Sequence, residues 1–199
     1  MKSPKIKPVR EPGKLVEPWI TWHAFAEKTG GETKEIPGSR FRNNNTFSIT
    51  LKKNRETIEL IWGGNPQNNA RASWTVTTLR FGLNDPAPSL NIYRRSLIDS
   101  FTGLFRRSSR MESTALLKKL CVIRAGQPLK LPAGVLALLE KAFTGNEPDF
   151  FVLTGKDDED FLLIKNFSLL TSGEDLSLFH ELGNELARFL RNETGPGND

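Results

Sequence analysis

Apolar positions near the start of the chain repeat with the period of a helix. Trp19, Trp22 and Ala26 recur at i, i+3 and i+7, which is the spacing of one helix face. Gly30-Gly31 follows this segment, and glycine is the usual residue at the C-terminal cap of a helix. The pattern predicts a short helix over residues 18–29.

The pattern then changes to the alternation that is typical of β-strands. Apolar and polar residues alternate along 47–51 and again along 58–62, with a polar link between the two segments. Two further segments, 72–81 and 89–93, are separated by short polar loops and carry β-branched and aromatic residues. Four such segments in succession predict an antiparallel four-strand meander.

The second half of the chain combines helices with one hairpin. Apolar residues within 97–105 fit a helix face, whereas 115–123 is ambiguous between helix and strand. A clearer helix is predicted from Pro132 to a glycine cap at Gly145. The apolar segments 150–153 and 161–164 predict a hairpin around an acidic turn.

The last predicted element is the most regular one. Ser172 and Asp175 resemble a capping box, and an apolar stripe at helical spacing continues to about Asn192. The order of helix, four-strand meander, one or two central helices, hairpin and C-terminal amphipathic helix predicts the α+β class. A doubly wound parallel sheet does not fit this order.

The two ends of the chain differ in composition from the part between them. Residues 1–16 carry three prolines and six charges with little aliphatic bulk, and 194–199 are polar. Segments of this kind are typical of disordered tails. We therefore predict a single α+β domain over 17–193, with two lobes meeting near residue 110 as the alternative.

Charge is distributed unevenly along the 199 residues. Residues 94–130 hold nine basic and two acidic side chains, whereas 140–199 hold five basic and thirteen acidic ones. The net charge of +5 for the chain therefore hides a basic middle and an acidic end, and this asymmetry bears on the choice of partners.

The basic segment 94–124 is the strongest candidate for a binding site. Arginine contacts phosphate by charge and by paired hydrogen bonds, and neighbouring aromatic residues could stack on bases. Flanking arginines also suit anionic lipid headgroups. Alternatively, the arginines form a solvated loop that pairs with the acidic C-terminal region of the same molecule. The candidate residues for an anionic partner are Arg94, Arg95, Arg106, Arg107, Arg110, Lys118 and Lys119.

Residues that could support catalysis or hold a metal are few. His23 and His180 are predicted on helix surfaces, and no serine has the surroundings of a nucleophile elbow. The acids 157–160 lack the order of a calcium loop and predict a solvated hairpin tip. Cys121, the single cysteine, lies in an apolar run and is predicted to be buried and inert. We predict no enzyme, no metal, no cofactor and no small-molecule substrate.

The order of elements resembles a known group of proteins. The relevant segments are the Trp22–Ala26 helix with its glycine stop, the strand Ser89-Leu90-Asn91-Ile92-Tyr93, and the Pro-Ala-Gly-Val-Leu-Ala-Leu-Leu helix from Pro132. Over about 18–192 the chain is similar to bacterial domains of unknown function that usually follow paired transmembrane helices. Residues 1–16 do not resemble those helices. The resemblance implies the same fold class and carries no catalytic residues.

These observations predict a cytoplasmic bacterial module that binds by surface recognition, with a protein as the expected partner. The alternative is an electrostatic binder of nucleic acid or anionic membrane through 94–124. No secretory signal and no apolar run of membrane-spanning length is present in the sequence.

Overall fold

A computed structural model of the chain describes most of its residues. They are 16–36, 44–51, 56–63, 74–83, 86–95, 113–156, 159–168, 170 and 172–193. Four helices lie within these ranges: α1 (Val16–Thr29), α2 (Ala115–Leu120), α3 (Ala133–Thr144) and α4 (Gly173–Glu193). The eight strands are β1 (Glu32–Ile36), β2 (Asn44–Leu51), β3 (Glu56–Gly63), β4 (Trp74–Gly82), β5 (Leu90–Arg94), β6 (Cys121–Ala125), β7 (Phe150–Lys156) and β8 (Asp160–Asn166).

All eight strands form one antiparallel sheet, so the predicted α+β class is confirmed. Its strand order is β1-β2-β3-β4-β8-β7-β5-β6. A four-strand meander is present, but its members are β1 to β4. The segment predicted as the fourth strand, 89–93, corresponds to β5, which pairs with β6 and β7 instead of β4. The predicted hairpin, β7–β8, lies between β4 and β5.

Strand β1 was not predicted from the sequence. Its residues, Glu-Thr-Lys-Glu-Ile, contain one apolar side chain, so the segment does not alternate between apolar and polar positions. Among the described strands it lies at an edge of the sheet and pairs with β2 alone. Charged side chains are common on edge strands because they discourage pairing with other chains. Its position in the sheet therefore explains why its pattern is weak.

The predicted helices that fall within the described residues are present with small shifts at their ends, whereas the helix face predicted within 97–105 lies outside the described residues. Helix α1 begins two residues before the predicted start and ends at Thr29, and the Gly30 that follows has a φ of 70°, the left-handed conformation of a glycine cap. The ambiguous segment 115–123 contains both structures, because α2 leads directly into β6. The Thr114 hydroxyl accepts the Leu117 backbone N–H at 3.2 Å and so caps α2.

One face of the sheet forms the core. Ile49, Ile58, Leu79, Ile164, Val152 and Ile92 follow one another across six strands in direct register, and each is buried. The described helices pack on this face. The ring of Phe143 in α3 stacks on Phe150 in β7 with centroids 4.3 Å apart, and Phe150 also contacts Phe179 of α4.

The C-terminal helix follows the prediction closely. The Ser172 hydroxyl accepts the Asp175 backbone N–H at 2.9 Å and donates to the Asp175 carboxylate at 2.7 Å, so the predicted cap is confirmed. Leu182 and Leu186 are fully buried. The indole N–H of Trp22 donates to the Leu170 carbonyl at 2.9 Å, which joins α1 to the segment before α4.

The acidic turn of the β7–β8 hairpin differs from the prediction in one residue. Glu159 is exposed as expected, but Asp160 is buried. The Asp160 carboxylate accepts the Ala87 backbone N–H at 2.5 Å, and Lys156 Nζ lies 3.7 Å from it. Asp160 therefore anchors the segment before β5 to the hairpin, whereas Asp157 and Asp158 lie outside the described residues.

Candidate functional site

The sheet face opposite the core carries an unusual set of side chains. The pairing of β4, β8, β7, β5 and β6 places two rows of side chains next to each other on the face that points away from the core. The first row is Thr78, Lys165, Phe151, Tyr93 and Val122, and the second is Arg80, Leu163, Leu153, Asn91 and Arg124. Phe161 follows beyond the second row, opposite Gly155. We call these side chains, together with Phe167 just after β8, the outer face.

Aromatic rings and cations alternate on the outer face. The Arg80 guanidinium lies 4.2 Å from the centroid of the Phe161 ring, and the Arg124 guanidinium lies 5.5 Å from the Tyr93 ring. Lys165 Nζ lies 5.6 Å from the ring of Phe167. All three distances fall within the range of a cation–π attraction, so each cation is held over an apolar surface.

The rings remain partly accessible to a ligand. Phe167 is 55% exposed and its ring lies 5.7 Å from that of Phe151. Phe151, Phe161 and Tyr93 are half-buried. The described helices have their ring contacts and buried residues on the core side of the sheet. None of the described helices therefore covers the apolar side chains of the outer face.

A glycine sets the position of one ring. A Cβ atom on Gly155 would lie 2.5 Å from Cζ of Phe161, which is far below a normal carbon contact. The Phe161 ring therefore lies flat across the backbone of β7, with Arg80 above it. Only glycine at this position leaves room for that arrangement, because any other residue would push the ring away.

The charged residues at the outward positions of β4 to β6 are all basic. Outward positions from β4 to β6 include Arg80, Lys165 and Arg124, and no acidic residue occupies an outward position on these five strands. Arg124 Nε is also buried and has no hydrogen-bond partner within the described part of the chain. This part of the sheet face is therefore both apolar and basic, and the neighbouring strand β3 places Glu59 opposite Thr78.

Four of the predicted binding residues lie together at the end of β5, and we call them the basic corner: Arg94, Arg95, Lys118 and Lys119. The Arg95 backbone N–H donates to the Leu120 carbonyl at 2.9 Å, and Arg94 pairs in register with Cys121. This brings the end of β5 beside the last turn of α2, where both lysines are exposed. The basic corner adjoins Tyr93 of the outer face.

Arg94 also has an acidic partner. Its guanidinium lies 3.0 Å from the Asp149 carboxylate, and both side chains are more than half exposed. Asp149 belongs to the acidic region 140–199. Arg94 therefore forms an ion pair with the acidic C-terminal region of the same molecule, as the alternative interpretation of the basic segment predicts. Arg106, Arg107 and Arg110 lie outside the described residues, and their role as binding residues stays a prediction.

The remaining residues that could support catalysis or bind a metal lie at separate places in the fold. Cys121 is buried, and burial raises the pKa of its thiol to about 12, against a smaller lowering effect of Arg95. His180 lies on the flank of α4, where its ring contacts Phe25 and Phe81 at centroid distances of 5.4 and 6.1 Å. Within the described ranges, no three His, Cys, Asp or Glu side chains could hold one metal ion together.

The outer face was not predicted from the sequence, although a signal for it was present. The segments Phe150–Leu153 and Phe161–Ile164 are apolar at successive positions, and such runs indicate strands with apolar residues on both faces. The alternation of side chains would have placed Phe151, Leu153 and Leu163 opposite the core. The cations could not be assigned to these rings without the strand order.

Comparisons with known proteins yield no relatives. No protein-family model matches the chain, and no significant match exists among the curated proteins or the solved structures. The resemblance to bacterial domains of unknown function therefore stays a prediction. In the part of the chain that is described, no helix combines the length and the apolar character needed to cross a membrane.

Proposed function

We propose that this protein is a non-catalytic binding module that acts by surface recognition, with the outer face as its contact surface. One observation carries the proposal: aromatic rings that remain partly accessible lie under cations on a sheet face opposite the core. Exposed apolar surface is costly in water, and contiguous patches of it commonly mark interaction sites.

The rigidity of the surface supports this role. The outer face is carried by the centre of the eight-stranded sheet, where β4, β8, β7 and β5 each have neighbours on both sides. The backs of the same strands form the core, with Leu79, Ile164, Val152 and Ile92 buried. A contact surface on such a frame loses little conformational freedom when a partner binds.

A capture experiment tests the proposal. The full chain is immobilised, incubated with lysate of its source cells, and washed, and the retained protein and nucleic acid are both quantified. Phe167→Ala and Lys165→Gln should retain several-fold less material than the original chain. Ile20→Ala removes an apolar side chain of similar exposure from α1, 63% against 55%, and Lys141→Gln removes an exposed cation from α3. Equal retention by all four variants would refute the outer face as the contact surface.

The basic corner supports a second candidate, an anionic membrane surface. Leu116 is 43% exposed in α2 beside Lys118 and Lys119, and apolar residues next to cations on a helix suit binding at a lipid interface. Co-sedimentation of the full chain with vesicles that contain about one third anionic lipid, and not with neutral vesicles, would support this function. Equal sedimentation with both, or with neither, would refute it.

A further inference from the structure

We propose that one end of the sheet binds an anionic phospholipid membrane, with Phe167 and Leu116 entering the lipid interface on either side of the basic corner. The proposal rests on the second candidate of the proposed function. It goes further because it adds Phe167 to the contact and fixes the orientation of the sheet, whose strands meet the membrane with their ends. We call Phe167, Leu116 and the basic corner together the contact end.

Backbone and side-chain contacts bring Phe167 to the basic corner. β5 ends and β6 begins at the pair Arg94–Cys121, and β7 begins and β8 ends at the same end of the sheet. The Phe167 backbone N–H donates to the Asp149 carbonyl at 3.1 Å, and the Asp149 carboxylate lies 3.0 Å from the Arg94 guanidinium. Asp149 therefore links Phe167 to the basic corner through two direct contacts.

Leu116 lies on the other side of the basic corner. Helix α2 leads directly into β6, and the Arg95 backbone N–H donates to the carbonyl of Leu120, the last residue of α2, at 2.9 Å. Four helical residues extend over about 6 Å, so Leu116 lies about one turn from this contact. The strand order β8-β7-β5-β6 places the end of β5 between Phe167 and α2. The arginines of the basic corner therefore lie between two apolar side chains.

Both apolar side chains are accessible. Within the described part of the chain three large apolar residues are exposed, and two of them belong to the contact end: Phe167 at 55% and Leu116 at 43%. Leu117, the neighbour of Leu116 in α2, is fully buried, so the helix keeps its core contact while Leu116 stays free to bind. Exposed apolar residues that gather at one place commonly mark an interaction site.

Cations outnumber the acids that contacts link to this end. Its basic side chains are those of the basic corner and Lys165, whose Nζ lies 5.6 Å from the Phe167 ring. Lys118 and Lys119 are exposed and form no ion pair with a described residue. The linked acids are Asp149, which pairs with Arg94, Glu140, which accepts the Thr114 hydroxyl, and Glu147, whose carbonyl accepts the Asn166 side chain. Positive charge therefore remains for anionic headgroups.

A lipid surface suits both parts of the contact end. Its phosphates meet the cations, while apolar side chains enter the boundary of the acyl chains to a depth of about 5–10 Å. A nucleic acid could use the lysines, but Leu116 offers no flat ring on which a base could stack. The combination of an aliphatic side chain, an aromatic ring and cations at one end therefore favours the membrane.

The test uses the full chain with a solvent-sensitive dye on one introduced cysteine. Cys121 is buried, and burial raises the pKa of its thiol to about 12, so a maleimide dye reacts with the introduced thiol in native buffer. The labelled variants are Phe167→Cys, Leu116→Cys and the control Gln127→Cys. Gln127 is exposed and follows the far end of β6, more than about 13 Å from the contact end.

The expected result is a response at two of the three positions. The probes are vesicles of phosphatidylcholine with about one third phosphatidylglycerol, and half of the chain should be bound at about 0.1–1 mM accessible lipid. The dyes of Phe167→Cys and Leu116→Cys should shift to shorter wavelength and be quenched by nitroxide-labelled lipid. The dye of Gln127→Cys should not change. An equal response of all three dyes would overturn the proposed orientation.

Variants without dye separate insertion from charge. Phe167→Ala should weaken vesicle binding about 4- to 15-fold, because a ring that is 55% exposed in water becomes covered by lipid. Lys118→Gln/Lys119→Gln should weaken it about 25-fold near 0.15 M salt and much less near about 1 M, where charge is screened. The matched control Lys130→Gln, an exposed cation beyond the far end of β6, should bind like the original chain. Unchanged binding of Phe167→Ala at an unchanged melting temperature would overturn the proposal.

The outcomes separate this proposal from the functions before it. Binding to the anionic vesicles with a dye response at Leu116→Cys alone leaves the second candidate function standing and overturns the contact of Phe167. No binding at about 5 mM lipid overturns both, and the outer face is then tested by the capture experiment. A chain that binds a single-stranded oligonucleotide but no vesicles would assign the cations to nucleic acid and overturn the membrane proposal.

Discussion

Replacement of Gly183 by alanine tests the contact between α4 and the sheet. A Cβ atom on Gly183 would lie 2.1 Å from both Cε2 and Cζ of Phe81, a ring that is fully buried. Carbon atoms in contact lie about 3.5–4.0 Å apart, so the ring or the helix must move by roughly 1.5 Å. His180, with its ring centroid 6.1 Å from that of Phe81, restricts the space into which the ring could move.

The expected size of the effect follows from two opposing contributions. Alanine favours the helix by up to about 1 kcal/mol over glycine, whereas overpacking of a core usually costs about 1–3 kcal/mol. A required shift of this size places the cost near the upper end, so we expect a net loss of about 2 kcal/mol in the free energy of unfolding. Urea denaturation followed by the fluorescence of the four tryptophans measures this loss.

Two further variants make the result specific. Gly134→Ala in the first turn of α3 has no atom within 4 Å of the new Cβ, so it should leave stability unchanged or raise it by up to about 1 kcal/mol. The double variant Gly183→Ala/Phe81→Leu should lose less stability than the sum of the losses of the two single variants, because the aromatic ring that the new Cβ would clash with is absent. A Gly183→Ala variant as stable as the original chain would refute the argument, as would additive losses in the cycle.

Three other predictions concern single residues. Leu186→Ala should lower the free energy of unfolding by about 2–5 kcal/mol, because Leu186 is fully buried, and a loss below about 0.5 kcal/mol would contradict its place in the core. The Cys121 thiol, with its pKa raised to about 12 by burial, should react slowly with a maleimide at pH 8 in native buffer and rapidly in about 6 M guanidinium, since the thiolate is the reactive form; rapid native labelling would contradict its burial. Arg94→Ser should change the melting temperature by no more than about 3 °C, because an exposed ion pair such as Arg94–Asp149 contributes about 0–1 kcal/mol, and a larger drop would show that this pair supports the fold.

Local patterns in the sequence were sufficient for most helices and strands. The cap at Ser172, the glycine stop at Gly30 and the alternation of β2 and β3 are properties of neighbouring residues, and each is present in the structure. The pairing of β4 with β8 joins Leu79 to Ile164, and no local pattern contains that information. For this reason the predicted α+β class was correct, whereas the predicted pairing of β5 with β4 was wrong.

The candidate site was harder to predict than the fold for the same reason. The predicted basic site consisted of residues that are close in sequence, such as Arg94 and Arg95. The outer face combines Arg80 of β4 with Phe161 of β8, and Arg124 of β6 with Tyr93 of β5. These pairs form only through strand pairing, and two of the three cations, Arg80 and Lys165, lie outside the basic segment.

The position of the β7–β8 hairpin has a consequence for the synthesis of the protein. Strands β1 to β4 and the pair β5–β6 leave the ribosome before residues 150–166, and among the described strands it is this hairpin that joins them into one sheet. If β1–β4 and β5–β6 pair before this hairpin emerges, their edges at β4 and β5 lack their final neighbours. Strand edges of this kind readily pair with other chains. A chain that stops before Phe150 should therefore aggregate instead of forming a smaller stable protein.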